Sequence, residues 1–269
     1  MADPEFVIPA DRLPPGFAES VDRPPSEPAV AQPAATIVLL RDADAMEVLL
    51  LKRHRSSGFV PGAYVFPGGR TDAADADPAL LERALNFRAA NVPMYYWFAA
   101  VREVFEETGV LLARRESDWV DDAASSSEMQ QLRVSLLEES ITLKQALRQY
   151  DCRIDFEDVV YFAHWITPEA EPRRYDTRFF LARLPEHREV KFDPREMTDA
   201  LWLSPAEALD RFAAGKLPMV FPTVRTLEQL VPFNTTTEAL HAFRTRDVEP
   251  VMPRLVRTES GVGIVIDPK

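Results

Sequence analysis

The sequence predicts an α+β (α/β) fold, a mixed sheet flanked by helices, built as one domain with helical insertions. Two observations predict it. Short apolar runs bounded by turn residues alternate along the chain with helix-length segments that carry N-capping signals. No internal repeat is visible, which argues against a solenoid or propeller.

The elements follow in order. Residues 1–33 contain eight prolines and little apolar patterning, so they read as an extended arm. Within it, Asp3-Pro-Glu-Phe6 reads as two adjoining cloning sites and is left out of the fold prediction. From residue 34 the pattern changes. Thr36–Leu40, an Asp-Ala-Asp-Ala turn and Glu47–Arg53 form a β-hairpin. Ala63–Phe66 is a short strand running into Pro67-Gly68-Gly69. Asp77-Pro78, an N-cap followed by proline, opens a helix to about Val92, and a second helix covers about Met94 to Ala113. Residues 114–150 are polar and helical, with Thr142-x-x-Gln145 as a capping box. Two strong strands, Asp158–Thr167 and Thr177–Leu184, precede a short one at Ala200–Leu203. Ser204-Pro-Ala-Glu207 opens a helix to Ala214, and helices are expected at about 222–231 and 236–245. Gly263–Ile266 is strand-like. The expected organisation is an arm at 1–33, a domain at 34–247 with insertions at about 76–95 and 114–150, and a tail at 248–269.

Composition removes several classes of function. With 43 acidic against 31 basic residues the net charge is −12, a field that opposes a phosphate backbone, so no nucleic-acid partner is expected. No apolar run approaches a membrane span, so no membrane partner is expected. The first residues lack the basic-then-apolar pattern of a signal peptide and the one cysteine, Cys152, fits a reducing compartment, so a cytoplasmic setting is expected. Nothing opposes a homodimer. His54, His164, His187 and His241 lack zinc-like spacing.

Two features carry chemistry. Only 9 glycines occur, and Gly58, Gly62, Gly68 and Gly69 fall in one short window, where the backbone is expected to make a tight turn or a close approach. On the second long helix, Arg102-Glu103-Val104-Phe105-Glu106-Glu107-Thr108-Gly109-Val110 sets Glu103, Glu106 and Glu107 on one stripe. An isolated E-x-x-E-E is ordinarily a solvated acidic face. Here Val101, Val104, Phe105, Val110, Leu111 and Leu112 make the helix a packed one, and carboxylates on a packed helix need a counter-cation. All-oxygen ligation points to Mg²⁺ or Mn²⁺.

These residues resemble the Nudix hydrolase signature: Gly, five residues, Glu, seven residues, then Arg-Glu-U-X-Glu-Glu-X-Gly-U, where U is a bulky aliphatic residue. Arg102 to Val110 match every defined position of the second half, and Gly69, preceded by Phe66-Pro-Gly, begins the first. Asp75 stands where the family has Glu. Between Asp75 and Arg102 lie 26 residues in place of seven, an insertion of 19. This split box is similar to the nucleoside diphosphate-linked moiety X motif 19 branch, and Leu50–Arg53 with Gly62-x-x-x-Phe-Pro-Gly-Gly69 is similar to the upstream motif of coenzyme A-cleaving members.

The resemblance implies an α/β/α sandwich and divalent-metal-dependent hydrolysis of a small nucleotide substrate, a nucleoside diphosphate linked to a second moiety. The favoured substrate is coenzyme A or acyl-coenzyme A. The alternatives are a broader hydrolase of NADH, ADP-ribose or dinucleoside polyphosphates, and a non-catalytic nucleotide-sensing module, which the Asp75 substitution keeps open. It implies metal ligation by Glu103, Glu106 and Glu107. Asp75 would replace the missing Glu, with Asp72 and Asp77 as alternatives. Arg102 would orient a glutamate, and the general base is a box glutamate or Glu196. Arg53, Gly68, Gly69, Arg173 and Arg174 are the substrate-binding candidates. The Pro172-Arg-Arg-Tyr-Asp-Thr177 text suits a phosphate-binding turn or a solvated hairpin. Tyr95–Phe98 and Met219–Pro222 read as core before pocket.

Overall fold

The structure, a computed structural model, describes residues 4–23, 25–55, 60–88, 91–185 and 188–266. Gly58, His187 and Asp3 lie outside them, as do residues 89–90 of the expected helix 77–92. The chain separates into two compact units. The larger comprises 34–162 and 178–247; the smaller comprises 1–33, 163–177 and 248–269.

The larger unit is built on a mixed sheet. Strand Met46–Arg53 lies between the strand ending at Asp42 and strand Met197–Leu203, antiparallel to both. Alternation along the hairpin explains its two buried faces. Ile37, Leu39, Leu49 and Leu51 enter one core cluster with Trp97, Phe98, Val101, Val104 and Phe105 of the helix Met94–Thr108. Val38, Leu40, Val48 and Leu50 point to the other face and are equally buried. The helices Pro205–Ala213, Phe221–Leu230 and Thr236–Arg244 follow in the chain, and the first packs on strand Met46–Arg53. Each of the three starts close to its expected position. Ser204 and Thr235 accept hydrogen bonds from the N–H groups of Glu207 and Glu238 as N-caps.

Three expectations for the larger unit are corrected. The described part of the segment 77–92 is not an α-helix. Asp77 does cap at its start, accepting from Ala79 N–H, but only the 3₁₀ turn Pro78–Arg83 follows. Ala84–Leu85 then pairs in parallel with Ile154 and Asp155, and Asn86 and Asn91 adopt positive φ. The second helix stops at Thr108, not Ala113, because Gly109 takes the left-handed conformation (φ 74°) and its N–H closes on the Phe105 carbonyl. Residues 114–150 are only partly helical. Ala113–Arg115 and Asp118–Trp119 form a hairpin before the helices Ser127–Leu137 and Leu143–Gln149.

In the smaller unit, Phe6–Pro9 pairs antiparallel with Gly261–Val265, which also pairs with Arg254–Thr258. The arm is therefore not uniformly extended: it contributes a strand and the short helix Phe17–Val21. Gly261 is required there, because a Cβ would stand 2.1 Å from the Ile8 carbonyl oxygen. Among the described residues no helix is long and apolar enough to cross a membrane.

Candidate active site

The glycine window and the carboxylate helix meet in the larger unit. Gly68–Arg70 is a short strand antiparallel to Ala34–Thr36, and it passes directly over the helix. Gly68 N–H donates to Glu107 Oε2 at 2.9 Å. A Cβ on Gly69 would stand 2.5 Å from Glu103 Oε2, so the glycine leaves room for that carboxylate. A Cβ on Gly68 would stand 2.4 Å from the Ala35 carbonyl oxygen and 2.7 Å from Thr36 Cα.

The two glycines therefore have separable effects. Gly68→Ala pushes on backbone and is expected to lower stability by about 1–3 kcal/mol, the range for overpacking. Gly69→Ala pushes on a side-chain end, so it is expected to keep most of the stability while displacing Glu103 and lowering turnover. Thermal melts beside rate measurements check this; equal loss of both properties in both variants would contradict it.

Arg102 is the cation at the centre of the cluster. Its Nε and Nη2 donate to Asp75 Oδ1 and Oδ2 at 3.1 and 3.0 Å. Nη1 donates to Glu103 Oε1 at 2.8 Å and to Glu106 Oε2 at 2.9 Å, and Nη2 also reaches the Arg70 carbonyl. Asp75 is 1% exposed, and its Oδ2 also accepts from Asp72 N–H in a capping box. Both Asp75 oxygens are thus engaged in holding Arg102. Asp72 lies 3.6 Å from Arg102 and is mostly exposed, and Asp77 pairs with Lys144.

The cluster holds more buried carboxyl groups than Arg102 can pair as anions. Glu107 is 4% exposed, and burial, reinforced by the charge of Glu103, holds its carboxyl well above the usual range. Burial likewise pushes Glu103 and Glu106 up to about 7, against the opposing pull of Arg102. Arg102 itself stays charged: burial works against its charge, and Glu103, Asp75 and Glu106 more than offset that. Each glutamate keeps one oxygen, Glu103 Oε2, Glu106 Oε1 and Glu107 Oε1, without a hydrogen bond among the described residues.

These donors fit a hard divalent cation in chemistry: they are anionic, all oxygen, and short of positive charge. They do not form a preassembled cage, since among the described residues no three acidic, His or Cys side chains converge as a ready ligand set. Arg102 draws Glu103 and Glu106 toward itself.

Two further expected residues act on the cluster through their charge. The positive charge of Arg53, on strand Met46–Arg53, acts on Glu107, and Arg53 Nε is buried with no hydrogen-bond partner among the described residues. Glu196 is exposed and close enough for its charge to raise Glu107. Its backbone carbonyl accepts from His54 N–H at 2.8 Å, which fixes the loop beside Arg53. Arg173 and Arg174 belong to the smaller unit. The Arg174 guanidinium is engaged there by the Thr167 and Ala29 carbonyls and the Met252 sulfur, so it serves as a brace for that unit.

The aromatic run resolves as packing. Trp97 and Phe98 join Phe87, Phe156 and Phe180 in one ring cluster. Sequence reasoning missed what holds the far end of the carboxylate helix. Lys191 N–H donates to the Thr108 carbonyl at 2.8 Å, and Asp193 N–H to that of Glu107 at 3.1 Å. Backbone pairing of this kind leaves no side-chain signature.

Comparisons with known proteins identify the family. A family model described as the NUDT19 Nudix domain matches residues 89–230, more than half of the chain. The chain is 29% identical over 197 residues to "Putative nudix hydrolase 7" of Caenorhabditis elegans, covering 73% of this chain and 60% of that protein. It is 28% identical to "Acyl-coenzyme A diphosphatase NUDT19" of Xenopus laevis (80% and 68%) and of Homo sapiens (82% and 70%). Among solved structures, a Nudix hydrolase from Alicyclobacillus acidocaldarius superposes with a TM-score of 0.70 at 27% identity, over 81% of this chain and 99% of that one. The chain belongs to the Nudix hydrolase family, in its NUDT19 branch.

Proposed function

We propose that this chain is a divalent-metal-dependent pyrophosphohydrolase whose substrate is coenzyme A or an acyl-coenzyme A, cleaved to adenosine 3′,5′-bisphosphate and a phosphopantetheine product. The observation that carries the reading is the buried excess of carboxylate at Glu103, Glu106 and Glu107, each with one oxygen free of hydrogen bonds, under the charge of an Arg53 whose Nε has no partner among the described residues. The names of the Xenopus and human relatives support the substrate class.

Glu103, Glu106 and Glu107 would hold Mg²⁺ or Mn²⁺, which when bound neutralises phosphoryl charge and activates water. The remaining roles fall to side chains. Arg102, gripped by Asp75, orients Glu103 and Glu106. Arg53, whose positive charge already acts on Glu107, would draw a phosphate group toward the glutamates. Gly68 and Gly69 let the strand pass close over the glutamates. In the reaction, the oxygen of water bonds to one phosphorus, and the bridging P–O bond breaks with its electron pair staying on the departing phosphate. Glu196, exposed and with a carboxylate that makes no hydrogen bond or ion pair among the described residues, is assigned as acceptor of the water's proton.

A substrate panel with Mg²⁺ and Mn²⁺, its products identified by mass, tests the reading. Coenzyme A and acyl-coenzyme A are expected to turn over faster than NADH, ADP-ribose or dinucleoside polyphosphates. Turnover of NADH with none of coenzyme A would overturn the substrate assignment. In the same assay Glu196→Gln is expected to lower kcat by about 10²- to 10⁴-fold, the usual worth of a general base. An unchanged kcat would return that role to a box glutamate.

A further inference from the structure

The inserted segment between the box and strand Val159–Ile166 does more than fill space. Its helix Ser127–Leu137 carries Arg133, which is 5% exposed although it bears a charge and has no ion pair among the described residues. Arg133 Nε donates to the Glu106 carbonyl at 2.8 Å, and Nη1 to the Lys191 carbonyl at 2.6 Å. One guanidinium therefore bridges the C-terminal turn of the carboxylate helix and the loop leading to Glu196. A cation at a helix C-terminus also meets the negative end of the dipole. Gly109 makes room for it, since a Cβ there would stand 3.3 Å from Nη1.

Other residues of the insertion grip the same loop. Asp122 Oδ2 accepts from Glu189 N–H at 3.0 Å, the Trp119 carbonyl accepts from Arg188 Nη2 at 3.1 Å, and Gln130 Oε1 accepts from Lys191 Nζ at 3.1 Å. The loop in turn pairs Lys191 and Asp193 N–H with the carbonyls of Thr108 and Glu107. Glu106, Glu107 and Glu196 thus hang on one hydrogen-bonded frame. Arg133 is the member whose side chain reaches both the helix and the loop.

We propose that Arg133 is a positioning residue for catalysis: it fixes the loop bearing Glu196 against the helix bearing Glu106 and Glu107. The inference rests on the pyrophosphohydrolase reading above. Lysine cannot replace it, because a single ammonium on a flexible stem lacks the planar fork that reaches two carbonyls at once. Misplacing a catalytic group by about 1 Å can cost about 10²-fold in rate.

The test compares wild type, Arg133→Lys and Arg133→Met on coenzyme A with saturating Mg²⁺. Melting curves and hydrogen–deuterium exchange are read alongside. Both variants are expected to lose about 10- to 100-fold in kcat with KM within about twofold. Exchange should rise in 104–109 and 188–197 in Arg133→Lys at temperatures where it remains folded. If Arg133→Met does not fold, Arg133→Lys carries the test. Wild-type kcat per folded molecule in Arg133→Lys, or exchange that rises throughout the chain alike, would overturn the proposal and leave Arg133 a stabilising residue only. Wild-type protein inactive on every substrate of the panel would instead overturn the functional reading on which it rests.

Discussion

Glu106→Gln and Glu107→Gln are expected to lower turnover by about 10²- to 10³-fold or more, the scale of removing one group that stabilises transition-state charge, while each variant folds. Glutamine keeps the shape and one acceptor oxygen, so Gly68 N–H retains a partner in Glu107→Gln. What disappears is the capacity to present a buried negative charge to a cation. Burial and the neighbouring Glu103 already disfavour that charge in Glu107. In chelator, therefore, Glu107→Gln is expected to melt no lower than wild type. Wild type should gain melting temperature as Mg²⁺ is added, since a ligand bound only by the folded state stabilises it by mass action, and the variant should gain much less. Rates and melts with and without Mg²⁺ measure both effects. Unchanged turnover in either variant would remove that residue from the ligand set.

The second large effect is on stability. Arg102→Met removes the one guanidinium that Asp75, Glu103 and Glu106 share, leaving three carboxyl groups uncompensated in a buried place. Breaking a buried ion pair from one side costs about 3–5 kcal/mol, and urea unfolding in chelator is expected to show a loss of that size. Arg102→Lys should lose less, because it keeps a charge but not the five hydrogen bonds now made by the guanidinium. Asp75 acts through Arg102. Asp75→Asn should therefore be costly alone and cheap, or stabilising, in the Arg102→Met background. Strict additivity of the two would show that Asp75 has a role of its own, such as the cation ligation the sequence suggested for it.

The helix Met94–Thr108 was legible because its information is local: apolar residues at helical spacing, three glutamates on one stripe, and a glycine at the end. The paired glycines at 68 and 69 were legible for a related reason. A close backbone approach demands glycine wherever it occurs, and the partner in that approach, Glu103, lies on the motif already singled out. The segment 77–92 failed by the same logic reversed. Asp77-Pro78 is a sound local cap, but the pairing of Ala84–Leu85 with Ile154–Asp155 lies about 70 residues away in sequence and overrides the helix. Asn86 also donates to the Asp155 carboxylate, which fixes the break.

The role of Asp75 was half legible. Its position in the box was visible, but its grip on Arg102 needed the capping turn Asp72–Asp75 to point both oxygens inward. Arg133 could not be seen at all. It is one of 26 arginines, and it binds carbonyl oxygens, which every residue possesses. Strand Phe6–Pro9 was missed because proline and a cloning-site reading masked a stretch whose partner lies at the far end of the chain.

The most direct measurement is the initial rate of coenzyme A cleavage in chelator-stripped protein as Mg²⁺ is restored, run in parallel on wild type and Glu107→Gln. A cation site built from the buried glutamates predicts no cleavage after stripping, saturable recovery in wild type and essentially none in Glu107→Gln. Cleavage that survives stripping, or equal recovery in the two proteins, would contradict it.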